Sequence, residues 1–295
     1  MRILVIGGSG VIGFEAIRKF SELGHDVFFT YNQNKIFVPN GFCVDIRDKN
    51  LTLKLIKKIK PDIVVHATAI TNVDLCETNK ELAKSVNVIG TSNIIEGCKL
   101  VNSKLAYIST SFVFDGTKSK YYEDDLTSPT TFYGITKENG ERLVSTSGLQ
   151  FLILRTDQPY CWKENWQHTN SVSRVLETIK SGKTLNEIVD WYNRPTYVPN
   201  FVMSMSKLIK NEEVGIFHVV GSDFINRYEF SLKVVEIFDL NKDLIKPIKS
   251  ETLHLPARRV NVNLENDKLT KKIGMKMLGV KEGLIEMLKS KNQRL

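Results

Sequence analysis

Short apolar runs alternate with stretches of helical periodicity along most of the chain. The first run, 2–6, leads directly into glycines at Gly7, Gly10 and Gly13, after which apolar side chains recur every three or four positions as far as residue 23. A short apolar run bounded by turn residues is typical of a buried strand, and the longer period is typical of a helix. The chain is therefore predicted to begin with a strand, a glycine turn and a helix.

The same alternation continues and predicts a Rossmann-type doubly wound parallel sheet, an α/β fold. Further strands are predicted at 26–31, 41–44, 62–67, 104–108, 150–154 and 215–220. Helices are predicted at 51–59, at 80–100, around Tyr133 and Lys137, and near the end of the chain at 278–288.

Two stretches, about 160–197 and the chain after residue 223, interrupt this alternation; the first holds all three tryptophans, and the second is rich in lysine. We interpret them as a smaller carboxy-terminal lobe that binds the substrate. The predicted dinucleotide-binding domain is 1–157 plus about 195–222. The predicted substrate-binding lobe is about 158–194 plus 223–295.

The glycine turn is the first candidate binding site. A glycine-rich turn lets the backbone approach a pyrophosphate, and the start of the following helix offers unpaired N–H groups and a favourable dipole. The flanking strand and helix favour a dinucleotide site over a simple tight turn.

The second candidate is the pair Tyr133 and Lys137, a Tyr-x-x-x-Lys motif. Residues four apart share one face of a helix, so the lysine ammonium is expected to act on the phenol. A free phenol ionises near pH ~10. A nearby positive charge favours the phenolate, so we expect Lys137 to lower the pKa of Tyr133 and to make it an acid or base for a carbonyl/alcohol pair. Thr110, beside a predicted strand end, is placed to hydrogen-bond the same carbonyl oxygen.

Composition agrees with a large enzyme. The chain has 295 residues, of which 42% are hydrophobic and 25% charged, enough for one large domain or two. No run reaches the roughly 18 apolar residues of a membrane span, and the opening residues form a strand rather than a signal peptide. We expect a cytoplasmic protein that contacts no membrane. The net charge of +8 comes from scattered lysines, so a solvated surface is favoured over nucleic-acid binding.

The cysteines are Cys43, Cys76, Cys98 and Cys161, widely spaced and without a histidine cluster nearby. They are predicted to be reduced thiols in the core, and no metal site is predicted. His66 is predicted to be a packed strand-end residue, and Asp74 to cap the helix that follows it.

Several motifs together resemble the extended short-chain dehydrogenases/reductases, and within them the dTDP-4-dehydrorhamnose reductases. Besides the glycine turn and the Tyr-Lys pair, the matching segments are Val44-Asp45-Ile46-Arg47-Asp48, Ala69-Ile70-Thr71-Asn72-Val73-Asp74-Leu75-Cys76-Glu77, Val86-Asn87-Val88, and Ile108-Ser109-Thr110-Ser111-Phe112-Val113-Phe114-Asp115-Gly116. Nearly the whole chain takes part. The Val-Phe-Asp-Gly run at 113–116 is specific to this group.

The resemblance implies the roles of most site residues. The catalytic set would be Thr110, Tyr133 and Lys137. Asp45 and Ile46 would hold the adenine, and 67–69 would line the ribose. Together with the glycine turn, the predicted cofactor contacts are Gly7, Ser9, Gly10, Val11, Ile12, Tyr31, Asn32, Asp45, Ile46, Ala67, Thr68, Ala69, Tyr133 and Lys137. The predicted substrate contacts are Thr71, Val73, Ser111, Phe112, Gln158 and Arg259.

The choice of cofactor is predicted from the absence of an acidic residue at the end of the second strand. An NAD-specific site usually has Asp or Glu at the end of the second strand, and here no acid occurs between Asp26 and Asp45. A 2'-phosphate would meet Asn32 or Lys35 without repulsion, so NADP(H) is favoured, while NAD(H) stays open.

The resemblance implies a reductase of a nucleotide-diphospho-4-keto-6-deoxy sugar, with a nucleotide sugar as substrate and a homodimer left open. Departures from the family, with Gln158 in place of a tryptophan and Ser111-Phe112 in place of Asp-Tyr, leave the sugar undetermined. Two alternatives remain. One is a sugar-nucleotide epimerase of the same fold. The other is a noncatalytic NADP-binding subunit like the methionine adenosyltransferase beta subunit.

Overall fold

The architecture is taken from a computed structural model that describes residues 1–290. Its strands are β1 (Arg2–Ile6), β2 (Asp26–Tyr31), β3 (Gly41–Cys43), β4 (Ile63–His66), β5 (Lys104–Thr110), β6 (Phe151–Thr156), β7 (Pro159–Tyr160), β8 (Leu185–Ile188), β9 (Tyr192–Asn193), β10 (Thr196–Tyr197), β11 (Gly215–His218), β12 (Ile225–Asn226) and β13 (Ile245–Ile248). Its helices are α1 (Val11–Glu22), α2 (Lys49–Ile59), α3 (Val73–Thr78), α4 (Lys80–Lys84), α5 (Thr91–Val101), α6 (Phe132–Ser145), α7 (Ser171–Lys180), α8 (Val198–Lys210), α9 (Arg227–Ile237), α10 (Asp267–Ile273) and α11 (Val280–Ser290).

The predicted Rossmann-type sheet is confirmed. Seven strands form one sheet in the order β11-β6-β5-β4-β1-β2-β3, and every neighbouring pair is parallel. These are the seven strands predicted from the apolar runs. Their buried faces carry mostly β-branched and aromatic side chains, as expected for a sheet covered by helices on both sides.

Outside this sheet, residues 1–290 form three short ladders, β7 with β10, β9 with β12, and β8 with β13, and an isolated bridge between Tyr121 and Leu264. They lie in or beside the predicted carboxy-terminal lobe. The largest cluster of buried apolar side chains runs from β1 and α1 through α8 to α9 and α11 without interruption. The proposed boundary between a dinucleotide domain and a substrate lobe stays a prediction.

The helix predicted over 80–100 is present, but it is not uniform. The chain runs without a break through α4, a π-helical segment at Ser85–Gly90, and α5. Asn79 begins α4 by accepting a hydrogen bond from the N–H of Leu82. The π-helical segment carries Asn87, whose side chain exchanges hydrogen bonds with both backbone groups of Ile70 and donates to the Thr136 hydroxyl at 2.9 Å. Periodicity alone does not show where a helix widens by one residue.

A charged network is buried behind β5 and β6. The Arg155 guanidinium donates to both carboxylate oxygens of Glu141, at 2.9 and 2.7 Å, and neither residue is more than 5% exposed. The Ser109 hydroxyl also donates to Glu141. A fork-to-fork pair of this kind is among the strongest polar contacts in proteins. It fixes α6 against the two strands.

His218 closes this network. Its Nδ1 lies 2.9 Å from the carbonyl oxygen of Glu265, and its Nε2 lies 3.3 Å from Arg155 Nη1. The arginine can only donate, so Nε2 accepts and the ring is neutral. Burial, reinforced by the nearby Arg155 charge, lowers the pKa of His218 to about 3.

We expect this histidine to make the fold sensitive to acid. Below pH 6.5 the unfolded chain binds a proton that the folded state refuses until about pH 3. Stability therefore falls as the pH falls through this window, by up to about 1.4 kcal/mol per pH unit. Urea unfolding between pH 7 and pH 4 should show a shallower slope for His218→Gln than for the parent, because the variant lacks one of the buried histidines that contribute in this way.

The matched control is His168→Gln, at an exposed position. It should keep the parent slope. A parent protein whose unfolding free energy does not change between pH 7 and pH 4 would contradict this account.

Three of the four cysteines are buried, as predicted, and the fourth is not. Cys76, Cys98 and Cys161 are buried thiols, but Cys43 is exposed, so the prediction of a core position is wrong for that residue. It lies on the short edge strand β3, which pairs with β2 alone.

Over residues 1–290, none of the helices combines the length and the apolar content that a bilayer crossing requires.

Candidate active site

The glycine turn between β1 and α1 is built for close backbone approach. Gly7 adopts a φ of +90°, and its N–H donates to the Thr30 hydroxyl at 3.1 Å while the N–H of Gly8 donates to the Thr30 carbonyl at 2.7 Å. A Cβ atom on Gly13 would stand 2.1 Å from the Gly7 oxygen. No larger residue fits there. The turn therefore leaves the first N–H groups of α1 open toward the carboxyl edge of the sheet, where a phosphate group binds best.

Neighbouring strand ends meet this turn. Thr68, just after β4, packs so closely on Gly7 that a Cβ atom there would lie 2.4 Å from the Thr68 hydroxyl. Val11, Ile12, Tyr31 and Ala67 are partly buried against the core around the same edge. From the opposite side Gln167 donates to the carbonyl oxygen of Ser9 at 3.1 Å. The cofactor residues predicted from separate motifs, among them Gly10 and Ala69, thus come from segments that converge on one edge.

The loop after β2 differs from the expectation in one respect. Asn32 hydrogen-bonds the Asp45 carboxylate, so an acid lies beside the end of the second strand although the chain supplies it from after β3. Arg47 binds the same carboxylate at 2.9 Å, and its hydrogen bonds are the main reason that the pKa of Asp45 lies below its ordinary value. Next to it Ile46 is buried, and its carbonyl accepts from Asn93. A ribose hydroxyl could meet Asp45, and a 2'-phosphate could meet Arg47.

Thr110 and Tyr133 come together as predicted. Thr110 is the last residue of β5, and Tyr133 lies in the first turn of α6, which Thr131 caps. The Thr110 hydroxyl hydrogen-bonds the phenol, and Phe112 packs edge-on against the ring at 5.6 Å between centroids. Thr110 also accepts from the N–H of Phe112, so it caps the following turn as well.

Glu77 fixes the start of α6. Its carboxylate accepts from the N–H of Phe132 at 2.6 Å, and the Thr131 hydroxyl accepts from the N–H of Gly134. Gly134 packs on the backbone of residue 112, leaving no room for a Cβ atom. The position of Tyr133 is therefore set by three independent contacts.

Lys137 is buried on the same helix, but it does not act on the phenol as expected. Its ammonium donates to the carbonyl oxygen of Ile108 at 2.8 Å and lies 3.9 Å from the centre of the Tyr107 ring. Burial lowers the pKa of Lys137 to about 7. Burial also raises the pKa of Tyr133 well above its ordinary value, and Lys137 is not among the groups that shift it. The predicted lowering of the phenol pKa is therefore wrong for this structure, because burial disfavours the phenolate and the Lys137 ammonium donates to Ile108 instead.

A buried carboxyl group that was not predicted from the sequence, Asp157, lies at the carboxyl edge of the sheet near Tyr133. Asp157 follows β6 and is 4% exposed. It accepts from the N–H of Arg194 at 3.0 Å and hydrogen-bonds the side chains of Ser111 and Asn193. Burial raises its pKa to about 6. Its charge also contributes to the raised pKa of Tyr133, so the two groups lie within electrostatic reach of each other.

Arginines gather around Trp191 on the lobe side. The guanidinium carbon atoms of Arg227 and Arg259 lie 5.5 and 5.4 Å from the indole ring centre. Burial lowers the pKa of Arg227 to about 10, and the neighbouring Arg174 adds to this effect. Arg227 was missed from the sequence, because nothing in its surroundings along the chain distinguishes it from a surface arginine.

Asp74 is the partner of Arg259 and not a helix cap. The two side chains form an ion pair at 2.7 Å, and Asp74 accepts from the N–H of Ala257. The expectation that Asp74 caps its helix is wrong, since Asn72 occupies the cap of α3. This ion pair links the loop after β4 to the late arginine segment.

The remaining predicted substrate residues are spread around this edge. Val73 packs beside Tyr133, Ser111 is buried, and Thr71 is exposed. Gln158 holds a φ of +38°, which is rare for a side chain of its kind. Strain of this sort often marks functional sites. The structure leaves the roles of these residues as predictions.

We expect Lys137→Met to weaken cofactor binding as well as turnover. The ammonium lies at the carboxyl edge of β5, and a hydrogen bond from a charged group contributes about 1.5–3 kcal/mol, or roughly tenfold or more in affinity. Parent affinity for NADPH should also fall as the pH rises through 7, because Lys137 then loses its proton. Fluorescence titration between pH 6 and 8.5 measures both effects.

Lys99→Met, at an exposed position on α5, is the control and should bind NADPH like the parent. If Lys137→Met kept the parent affinity and the parent pH profile, Lys137 would have no part in holding the cofactor.

Comparison with known proteins agrees with this geometry. The family model described as "RmlD substrate binding domain" matches residues 1–293. A dTDP-4-dehydrorhamnose reductase of Aggregatibacter actinomycetemcomitans is 30% identical over 80% of this chain and 78% of its own. The methionine adenosyltransferase 2 subunit beta of Xenopus laevis is 28% identical over 99% of this chain and 90% of its own.

Among solved structures, the dTDP-4-dehydrorhamnose reductase of Bacillus anthracis in complex with NADP superposes with a TM-score of 0.88 at 25% identity, covering 98% of this chain and 99% of the other. The family indicated by the motifs is confirmed. The chain therefore belongs to the family of the RmlD substrate binding domain, and with it to the NAD(P)-dependent oxidoreductases of the extended short-chain dehydrogenase/reductase type.

Proposed function

We propose that this protein reduces the 4-keto group of a nucleotide-diphospho-6-deoxy sugar with NADPH. The observation that carries the proposal is the buried hydrogen bond between Thr110 and Tyr133 at the carboxyl edge of the sheet. Two hydroxyl groups aimed at one point can bind and protonate a carbonyl oxygen. The glycine turn lies at the same edge, and the related reductase from Bacillus anthracis was solved with NADP.

The raised pKa of Tyr133 suits this direction of reaction. A phenol that stays protonated at neutral pH is ready to donate, and Thr110 polarises the same carbonyl oxygen by a second hydrogen bond. NADPH, when bound, supplies the hydride to the ketone carbon. We infer that Lys137, whose ammonium is buried at this edge against the carbonyl oxygen of Ile108, serves the bound cofactor rather than the phenol.

The arginines around Trp191 support the choice of a nucleotide diphosphate as part of the substrate. Arg227 and Arg259 flank Trp191, and Arg174 lies close enough to lower the pKa of Arg227. Arg174 and Arg259 also pair with the carboxylates of Glu187 and Asp74. A diphosphate offers oxygens for further two-pronged contacts to these guanidinium groups. The indole face of Trp191 is suited to stacking on a base or a sugar.

The test is to follow NADPH oxidation at 340 nm with a panel of nucleotide-linked 4-keto sugars. One of them should be reduced with a KM in the usual range of about 1 μM to 1 mM. The same keto sugar without its nucleotide diphosphate is the control and should react far more slowly. Absence of turnover across the panel, with NADPH shown to bind, would refute the proposal.

A second candidate is a noncatalytic regulatory subunit. The observation in its favour is that the Xenopus relative, named as a subunit of methionine adenosyltransferase, matches nearly the whole chain. A protein of this kind would bind NADP without consuming it. Co-purification with a methionine adenosyltransferase catalytic subunit, together with no NADPH oxidation by any keto sugar of the panel, would favour this candidate over the reductase.

An epimerase is the third candidate, and the carboxylate of Asp45 beside Asn32 favours it, since an acid at this place suits NAD. An epimerase should retain NAD through purification and convert a nucleotide sugar with no net oxidation of NADPH. Nuclear magnetic resonance of the product mixture separates it from the reductase.

We expect Asn32→Asp to shift the cofactor preference toward NADH. The new carboxylate would stand beside Asp45 and face a 2'-phosphate across a short distance, and the repulsion would cost on the order of 1 to 4 kcal/mol. The dissociation constant for NADPH should rise at least about fivefold, while that for NADH changes little or falls.

Titration of both cofactors against both proteins measures this ratio. A parent that binds NADH more tightly than NADPH, or a variant with an unchanged ratio, would show that Asn32 does not face the ribose.

A further inference from the structure

A large cavity lies at the edge of the sheet opposite to the proposed active site. It has a volume of about 750 Å³ and opens between α1 and α8 at the amino ends of β1, β4, β5 and β6. The proposed cofactor and catalytic residues do not line it. Since a strand rises about 3.3 Å per residue, the length of β5 alone separates the two edges by roughly 20 Å.

The walls of this cavity are apolar. Phe20 of α1, Met203 and Ile209 of α8, and the strand residues Leu105 and Leu152 line it. At its mouth, Leu23 and Val214 remain about half exposed. Cavities of about 300–1,000 Å³ with such walls are typical of small-molecule sites. Exposed apolar side chains grouped around an opening usually mark a binding surface.

The charged groups at the mouth are not balanced. Its acids are already engaged, Glu212 with Lys104 at 3.5 Å, Glu213 with Lys272 at 3.1 Å, and Asp62 with the N–H of Arg2 at 2.7 Å.

By contrast, Lys207 and Lys210 line the mouth from α8, and within residues 1–290 no carboxylate approaches either ammonium closely enough for an ion pair. The charge left for a ligand is positive.

We propose that this cavity binds a small amphiphile with an apolar body and one anionic head group, such as a medium-chain carboxylate. The apolar body would fill the space between α1 and α8, and the head group would lie between Lys207 and Lys210. This site is separate from the one that reduces the keto sugar, so the proposal stands whether or not that function is correct.

The probes are dodecanoate and the fluorescent dye 8-anilinonaphthalene-1-sulfonate, titrated against the full chain. Both carry an apolar body and an anion. We expect the dye to bind at one saturable site per chain and dodecanoate to displace it. Uncharged dodecanol and cationic dodecyltrimethylammonium should displace the dye at least ~10-fold less well, because they lack the attraction to the two lysines.

Variants locate the site. The pair Lys207→Glu/Lys210→Glu should weaken dodecanoate binding at least ~5-fold and leave dodecanol unchanged, since reversed charges at a rim act on the head group alone. Met203→Trp should weaken both ligands by occupying the cavity. Lys54→Glu/Lys57→Glu, with the same spacing on α2 outside the cavity, is the control and should bind like the parent.

Circular dichroism and NADPH titration verify that each variant is folded and binds its cofactor at the other edge. The proposal is overturned if dye binding is not saturable, if Met203→Trp binds both ligands like the parent, or if the lysine reversal and its control behave alike. It is also overturned if sedimentation shows that the parent is a dimer which Met203→Trp dissociates, because a second copy would then cover the opening.

Discussion

Tyr133→Phe should reduce turnover by at least about two orders of magnitude while leaving the affinity for NADPH within a few-fold of the parent. Only the proposed proton donor is lost, and general acid catalysis contributes about 10²- to 10⁴-fold. The ring itself stays packed against Phe112 and the buried side chain of Cys76, so the fold should not change. Steady-state kinetics with the best keto sugar and a fluorescence titration of NADPH measure the two quantities.

Tyr107→Phe offers a matched control. Tyr107 lies on β5, is fully buried, and presents its ring to the Lys137 ammonium, which phenylalanine would still do. This variant should keep turnover within a few-fold of the parent. Near-normal turnover of Tyr133→Phe would refute the proposed acid. An equal loss in both variants would instead assign the effect to packing.

Glu141→Gln should lower the free energy of unfolding by about 3–5 kcal/mol, because it leaves the Arg155 guanidinium buried without its counter-charge. The pair is held by two hydrogen bonds in a site that is almost fully closed to solvent. Urea unfolding at pH 7 measures the change. Glu22→Gln, which removes one partner of the exposed pair with Lys19, is the control and should change stability by less than about 1 kcal/mol.

The double variant Glu141→Leu/Arg155→Met separates two explanations. If the cost comes from an uncompensated buried charge, replacing both residues should recover a large part of the lost stability. If the double variant is as unstable as the sum of the two single changes, the two side chains contribute through packing, and the charge argument fails.

Local patterns were sufficient to predict the sheet. Each of the seven strands is a short apolar run, and each run lies between turn residues such as Gly24, whose φ of +78° ends α1. The π-helical segment at Ser85–Gly90 was not predictable in this way. It depends on Asn87 reaching the backbone of Ile70, a contact between residues 17 positions apart.

In the candidate site, too, features set by local sequence were predictable, and features set by contacts between distant segments were not. The Tyr-Lys spacing placed Tyr133 and Lys137 on one helix correctly, yet their pKa values follow from burial, which a four-residue motif does not reveal. Asp157 and Arg227 were missed for a similar reason. Each acquires its partners, Arg194 and Trp191 among them, only when distant segments fold together.

The amide of Asn87 has one more consequence. It holds the loop at Ile70, after β4, and the Thr136 hydroxyl on α6 at once, with three hydrogen bonds from a single side chain. The loop after β4 and the helix that carries Tyr133 are therefore held in one arrangement by this side chain. In the proposed reduction, the binding energy of the substrate would then not be needed to align the phenol, and little reorganisation would remain for the chemical step.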